Sequence, residues 1–435
     1  METRIVYPGK IGGILQAPAS KSVMQRAIAC AMLAPGISRI HGSPLCDDSK
    51  AAVGIIQDLG AKVREEEETL EIIGSEAVKR ALSGMKQQSE ISQENPPLIL
   101  QCGESGLCMR MFAPISALLG KPVELRGSGS LVRRPMDMAV NVIRAFGASC
   151  ESDHGFQPLR ICGPLTAQSA VIDAQGSSQL ITGLLMALPL LKSDSNLQIK
   201  HLVSTGYLDV TLRVCAHFGV FIRKVESGGS FIIQGGQNYH PADLNVEGDW
   251  SAAAFLAVAA AIAGTQQGLS IKGLKPDSAQ PDRAIREVLA MAGARIILSN
   301  DELAIVPQPL HPFSFDASEC PDIFPPLVVL ASAIHGRSRI DGVHRLVSKE
   351  SDRAKALMSM VTELGIHSFF EGDGMVIDGD TPRGGTIASF GDHRIAMAGA
   401  ILALVCSSKV SIVGAECVSK SWPDFFEKID SLRAR

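Results

Sequence analysis

The chain has 435 residues, 46% of them apolar, which is enough for two to three domains with buried cores. Against 41 Lys and Arg stand 45 Asp and Glu, so the net charge of −4 excludes a nucleic-acid binder that works through bulk positive charge. Met1–Lys10 lacks an apolar core of signal-peptide length, and the longest strongly apolar run, Ala252–Ala263, falls short of the ~20 residues of a membrane span. The ten cysteines occur without a C-x-x-C pair or clustered histidines, so neither a disulfide framework nor a metal site is expected, and a reducing cytoplasm is the simplest location.

In chain order, a strand over Thr3–Tyr7 precedes Gly12-Gly13, and the first helix opens at Ala17-Pro18-Ala19-Ser20-Lys21-Ser22 and runs to Leu33. Ser20 suits the N-cap. Lys21, however, puts a cation at the positive end of the helix dipole, which costs about 0.3–1 kcal/mol unless an anion is bound nearby. Arg26, four residues beyond Ser22, shares that face.

The chain then repeats itself. Helical stretches end in a glycine followed by a small or β-branched residue at Gly60, Gly147, Gly219, Gly293 and Gly365, spaced 87, 72, 74 and 72 residues apart. A polar hairpin follows, as at Val63–Ile73, Phe221–Ile233 and Arg295–Val306. A more apolar helix precedes each of these, at Lys21–Leu33, Gly106–Leu119, Ser178–Leu191, Trp250–Ala263, Ile323–Ile334 and His393–Val405, with the composition of a helix buried on most sides. Six copies give a unit of about 72 residues, read as helix, strand, helix, strand, strand. Ser75–Pro97 reads as a surface insertion in the first copy. Gln234–Pro241 is the strongest linker signal and falls after three copies. Two lobes are therefore expected, 16–238 and 1–15 with 239–435, joined by a two-crossing hinge near 13–18 and 236–243.

The apolar helices carry polar starts beyond what capping needs. These are Glu104-Ser105-Gly106 with Arg110 one turn in, Ser177-Ser178-Gln179, Pro321-Asp322 and Gly391-Asp392-His393-Arg394. Caps account for Ser177, Asp249 and Asp392, but not for Lys21, Arg26, His393 and Arg394 at positive helix ends. Further cations, Arg133-Arg134, Lys349, Arg353 and Lys420, precede or begin the second helices. Single cations at equivalent points of a repeat build one basic pocket from distant segments, suited to a small polyanion bearing phosphate and carboxylate groups.

These residues, Pro18-Ala19-Ser20-Lys21-Ser22 with Arg26, Ser177-Ser178-Gln179, Lys349-Glu350-Ser351-Asp352-Arg353 and Asp392-His393-Arg394, resemble the signatures of the 3-phosphoshikimate 1-carboxyvinyltransferase (EPSP synthase) family. The resemblance runs over essentially the whole chain in the right order. It implies an α/β (α+β) fold of two lobes, each an inside-out α/β barrel of three βαβαββ units, with the active site in the cleft between them. It implies transfer of the enolpyruvyl group of phosphoenolpyruvate to the 5-hydroxyl of shikimate-3-phosphate, in aromatic amino-acid biosynthesis, and glyphosate as an inhibitor. The implied shikimate-3-phosphate residues are Lys21, Ser22, Arg26, Ser177, Ser178, Ser204, Asp322 and Lys349. Those for phosphoenolpyruvate are Lys21, Gly106, Arg134, Gln179, Arg353, Arg394 and Lys420, and the catalytic groups are Asp322, Glu350 and Lys21. Ser204 opens Ser204-Thr205-Gly206-Tyr207, matching the family's Ser-x-x-Tyr. No metal or cofactor, nucleic acid or membrane is implied, and a monomer is the expected state.

The chain departs from the family pattern in three places. Glu104-Ser105-Gly106-Leu107 stands where Asn-x-Gly-Thr is common, Arg345 where some members have Asn, and Val347 where a basic residue is frequent. A carboxylate and a large apolar group beside Gly106 predict weaker phosphoenolpyruvate binding and lower glyphosate sensitivity. Two other readings remain: an enolpyruvyl transferase acting on UDP-N-acetylglucosamine, expected to show Lys-Asn at Lys21-Ser22 and a reactive loop cysteine, and a two-lobe anion-binding protein without turnover.

Overall fold

The computed structural model describes every residue except 1, 43, 84–95, 175–176, 226–228 and 435. The chain divides into two compact units, Lys21–Val246 and Met1–Ser20 with Glu247–Arg435.

Lys21–Val246 holds three four-stranded sheets built to one plan. Leu98–Gln101 runs parallel to Pro122–Arg126, which is antiparallel to Phe156–Cys162, which pairs with Ser149–Asp153. Ser169–Asp173, Ser195–Lys200, Ser230–Ile233 and Arg223–Val225 repeat this order. The third sheet runs Asp243–Asn245, Ile37–His41, Thr69–Ile73, Lys62–Glu66. Its first strand comes from the far end of the unit, in register Leu244↔Ile40, and His41 Nε2 meets Asp243 Oδ1 at 2.7 Å across the pair.

The other unit repeats the plan with a matching exchange. Ile11–Gln16 supplies the first strand to Gly264–Lys272, Glu302–Val306 and Arg295–Ser299. Ser314–Asp316, Gly336–Asp341, Gly374–Gly379 and His367–Glu371 form the next sheet. The last, Gly385–Ala388 with Val410–Val413, is completed by the N-terminal strand Thr3–Val6. Each copy is thus βαβαββ, the last one lacking its outer strand among the described residues. Pairing of Gln16 with Lys272 and of Asn245 with His41 carries each strand into its unit, so the chain passes from one unit to the other at Ser20–Lys21 and Val246–Glu247.

The apolar helices lie inside and the sheets outside. All of Gly106–Ser116, Phe324–Ser332 and His393–Ala403 is buried, and all of Trp250–Ala263 but Ile262. Sheets with one covered face alternate, as in Ser195–Lys200, where Ser195, Leu197 and Ile199 are buried and the residues between them exposed. The helix-ending glycines take the left-handed conformation that a Cβ disfavours, with φ of +91° at Gly60, +81° at Gly147 and +94° at Gly293. Gly183 serves a close approach instead, since a Cβ there would lie 2.9 Å from Pro114 Cδ and overlap the Met111 carbonyl.

Four inner helices end short of the sequence expectation, Phe324–Ser332 and His393–Ala403 by two residues and two others by more. Ser178–Ala187 stops before Pro189, which has no N–H to give, and Gly106–Ser116 tightens into the 3-10 turn Ala117–Leu119 before Gly120 at φ +64°. Most of the supposed insertion Ser75–Pro97 lies outside the described residues, but its start is a helix, Glu76–Ser83, with Val78 N–H bonded to Ser75 Oγ at 3.2 Å. No helix of the described residues is long and apolar enough to cross a membrane.

Candidate active site

In Lys21–Val246 the polar residues at the N-terminal ends of the inner helices link into one network. Gln25 Nε2 donates to Ser105 Oγ at 2.8 Å and to the Asp48 carbonyl at 2.9 Å, tying helix Lys21–Leu33 to the start of Gly106–Ser116. Arg110 Nη1 donates to Gln179 Oε1 at 3.1 Å, tying that start to Ser178–Ala187. Arg26, 2% exposed, closes the ring through Thr211 Oγ1 at 2.9 Å, Thr182 Oγ1 at 3.3 Å and the Ser22 carbonyl at 2.8 Å. Burial lowers its guanidinium to about 10, so it remains charged at neutral pH.

The cation at the first helix start has an anion after all, since Lys21 Nζ lies 3.0 Å from Asp48 Oδ2. Ser177 caps its helix through Gln179 N–H at 3.2 Å. Ser204 is buried in the left-handed region at φ +55°, an uncommon conformation for serine, at the start of Thr205–His217. Above Gly106 lies the Arg134 side chain, whose Cζ would be 2.8 Å from a Cβ on that glycine; Arg110 Nη1 would be 3.0 Å from it. Arg134 Nε is buried without a hydrogen-bond partner among the described residues.

The second unit joins three helix starts in the same way, through alternating charges. Arg394 Nη2 reaches Ser251 Oγ at 2.8 Å and Asp322 Oδ2 at 3.0 Å, so the starts of Trp250–Ala263, Phe324–Ser332 and His393–Ala403 meet. Asp322 Oδ1 lies 3.3 Å from Arg353 Nη1 and 3.5 Å from Lys349 Nζ. Glu350 Oε2 takes Arg353 Nη2 at 2.6 Å, and its Oε1 lies 3.8 Å from Lys420 Nζ. Fully buried Asp392 grips Arg353 Nε at 2.9 Å, accepts from Ser351 Oγ at 3.2 Å and caps its helix through Arg394 N–H at 3.0 Å. A guanidinium can only donate, so His393 Nε2, 3.1 Å from Arg394 Nη1, accepts and orients Arg394.

Burial alone would raise the Asp322 carboxyl, but Arg394, Lys349 and Arg353 together outweigh it and hold the group well below the usual carboxylate range. Burial lowers the Lys349 ammonium against the opposing pull of Asp322. A carboxylate with a depressed folded-state value contributes stability that is fully present above its unfolded value, about pH 4, and is lost as pH falls. The stability gap between the protein and Asp322→Asn should therefore be constant from pH 7 to about 5 and shrink toward pH 2. Urea midpoints at stepped pH check this, and a gap that widens on acidification would be the wrong sign.

The family model for EPSP synthase (3-phosphoshikimate 1-carboxyvinyltransferase) matches residues 6–429 of this chain. The chain belongs to the EPSP synthase family. Among relatives of this family, the 3-phosphoshikimate 1-carboxyvinyltransferase of Clostridium kluyveri is 35% identical over 98% of this chain and 96% of its own length. That of Clostridioides difficile is 36% identical over 99% and 97%. The crystal structure of EPSP synthase from Acinetobacter baumannii shares the fold with a TM-score of 0.80 at 23% identity, covering 100% of this chain and 98% of that one.

All the residues that the EPSP synthase resemblance singled out lie at these helix starts or on the turns beside them. Lys21, Ser22, Arg26, Gly106, Arg134, Ser177, Ser178, Gln179 and Ser204 belong to one unit, and Asp322, Lys349, Glu350, Arg353, Arg394 and Lys420 to the other. Sequence reasoning missed the carboxylate Asp48, the hydroxyls Thr182, Thr211 and Ser251, and the part Asp392 takes beyond its cap. Nothing in the local sequence of Asp48 or Thr211 marks them, because their partners Lys21 and Arg26 lie far from them along the chain. Val347 is exposed and Leu107 buried, at 58% and 8%.

Because the Arg134 side chain occupies the space over Gly106, Gly106→Ala should displace it. The expected result is a Michaelis constant for phosphoenolpyruvate raised on the order of tenfold with that for shikimate-3-phosphate little changed. Steady-state titration of each substrate on the variant decides it, and equal effects on both would place the disturbance elsewhere.

Proposed function

We infer that the chain transfers the enolpyruvyl group of phosphoenolpyruvate to the 5-hydroxyl of shikimate-3-phosphate and releases phosphate, with the cations of both units acting on the same two substrates. The observation that carries this reading is the pair of carboxylates, Asp322 and Glu350, set among Lys349, Arg353, Arg394 and Lys420 in one unit, together with a cationic set at the helix starts within the other.

The reaction protonates the methylene carbon of phosphoenolpyruvate while the acceptor hydroxyl loses a proton and attacks the adjacent carbon. The tetrahedral adduct then loses a proton from its new methyl group and expels phosphate, which restores the carbon–carbon double bond. Asp322, kept ionised by its three cations, takes the hydroxyl proton. Glu350, bonded to Arg353 and near Lys420, handles the proton at carbon. Lys21 stabilises charge that develops at the reacting centre.

Lys21, Ser22, Arg26, Ser177, Ser178, Ser204, Asp322 and Lys349 bind shikimate-3-phosphate. Lys21, Gly106, Arg134, Gln179, Arg353, Arg394 and Lys420 bind phosphoenolpyruvate. Guanidinium forks match the carboxylate and phosphate, while the lysines act as point charges. The carboxylates that now hold Arg353, Arg394 and Lys21 fix those side chains before substrate arrives, which reduces the ordering that binding requires. Such an enzyme works in the cytoplasm as a monomer.

Phosphate release tests this reading. The purified protein with phosphoenolpyruvate should release phosphate when shikimate-3-phosphate is added and none with UDP-N-acetylglucosamine. Release with the nucleotide sugar alone would favour the other transferase, and none with either would favour an anion-binding protein.

A further inference from the structure

Glu104, the departure from the common family pattern nearest the residues assigned to phosphoenolpyruvate, takes no part in the chemistry above. Its stretch, Gly103-Glu104-Ser105-Gly106, holds the segment 127–134 at both ends. At the first end the Gly103 carbonyl accepts from Ser128 N–H at 2.8 Å. Glu104 Oε2 accepts from Ser130 N–H at 3.3 Å and from Ser130 Oγ at 3.0 Å. Gly129, at φ +53°, brings bare backbone against the carboxylate, and a Cβ on it would lie 2.8 Å from Glu104 Oε2. These contacts sit at the start of the 3-10 turn Gly129–Arg133, where the carboxylate satisfies the Ser130 N–H that the turn itself leaves without a carbonyl.

The turn ends at Arg134, whose N–H bonds to the Leu131 carbonyl at 3.1 Å. At this second end the guanidinium rests on Gly106, and its buried Nε has no hydrogen-bond partner among the described residues, leaving a donor for a ligand. Between the Ser130 anchor and that guanidinium lies less than two turns of 3-10 helix, so any slack at the anchor passes to Arg134. We propose that Glu104 is a positioning residue for phosphoenolpyruvate, fixing the Gly129–Arg133 turn and so aiming Arg134. This rests on the assignment of Arg134 to that substrate. It also reverses the sequence expectation that the Glu104 charge weakens phosphoenolpyruvate binding, because the carboxylate is engaged by the turn. Gln preserves the reach and one acceptor oxygen; Asn, one methylene shorter, gives up both contacts.

The test is steady-state kinetics, each substrate varied separately, on Glu104→Asn, Glu104→Gln and Arg134→Ala. Glu104→Asn should raise the Michaelis constant for phosphoenolpyruvate on the order of tenfold, with kcat and the constant for shikimate-3-phosphate within about twofold of the parent. Glu104→Gln should recover most of that loss, and Arg134→Ala should raise the same constant further. If Arg134→Ala leaves it unchanged, the site assignment fails and the inference with it. If Arg134→Ala raises it while Glu104→Asn does not, the assignment stands and the positioning role is overturned. A Glu104→Asn loss shared equally by both substrates and not rescued by Gln would also overturn it, as the mark of general destabilisation.

Discussion

Asp322→Ala is expected to lower kcat by ~10²–10⁴ while shikimate-3-phosphate still binds, the usual range for a lost acid/base group. In the proposed mechanism the carboxylate has two tasks, which the variants separate. Its proton-accepting task is lost with either Ala or Asn. Its structural task, holding Arg394 at 3.0 Å and Arg353 at 3.3 Å, is partly kept by Asn, whose carbonyl oxygen still accepts. Both variants should therefore lose turnover alike, whereas Ala should lose more phosphoenolpyruvate affinity than Asn. Binding of shikimate-3-phosphate by calorimetry and turnover by phosphate release measure the two separately. Near-parental turnover in the Asn variant would remove Asp322 as the base.

Asp392→Ala should be the most destabilising change at the site. Arg353 is fully buried, and Asp392 holds its Nε at 2.9 Å and its Nη2 at 3.3 Å, so the variant strands a buried charge. Removing one partner of such a pair costs about 3–5 kcal/mol, and the lost helix cap adds about 1 kcal/mol. Asp322 and Glu350 remain on Arg353 and offset part of this. Denaturant titration gives the stability, and the double variant Asp392→Ala, Arg353→Leu should recover much of the loss without recovering activity. A single variant within about 1 kcal/mol of the parent would mean that Asp392 does not hold the buried cation in place.

Those two residues also mark how far the sequence could be read. The six-fold repeat was legible because five of the six copies end their outer helix in a left-handed glycine and the inner helices open with polar starts, both local requirements. Arg394 was legible as a charge that capping alone could not explain, and Asp322 through the resemblance of its surroundings to the family's signatures. The leading strand of each copy was not legible in the pattern; Asp243–Asn245, for one, is three residues long and pairs with Ile37–His41 some two hundred residues earlier in the chain, leaving no alternation to detect. The charge balance was missed too. Lys21 and Arg353 read as cations awaiting a ligand, yet Asp48 and Asp392 already hold them. Glu104 read as a neighbour of the ligand because it precedes Gly106 by two residues, while its side chain turns to Ser130. Direction of a side chain on a loop is set by tertiary contacts that spacing does not encode.

The addition and elimination sequence makes a demand on one oxygen atom. When the 5-hydroxyl adds to the carbon that carries phosphate and phosphate then leaves, the bond broken joins that carbon to the bridging oxygen. Phosphoenolpyruvate labelled with heavy oxygen at the bridge, turned over with shikimate-3-phosphate, should deliver the label to inorganic phosphate, with one phosphate formed per enolpyruvyl group transferred. Phosphorus NMR reads the isotope shift directly. Label retained on the organic product, with unlabelled phosphate released, would mean cleavage at phosphorus and would contradict the mechanism assigned to Asp322, Glu350 and their cations.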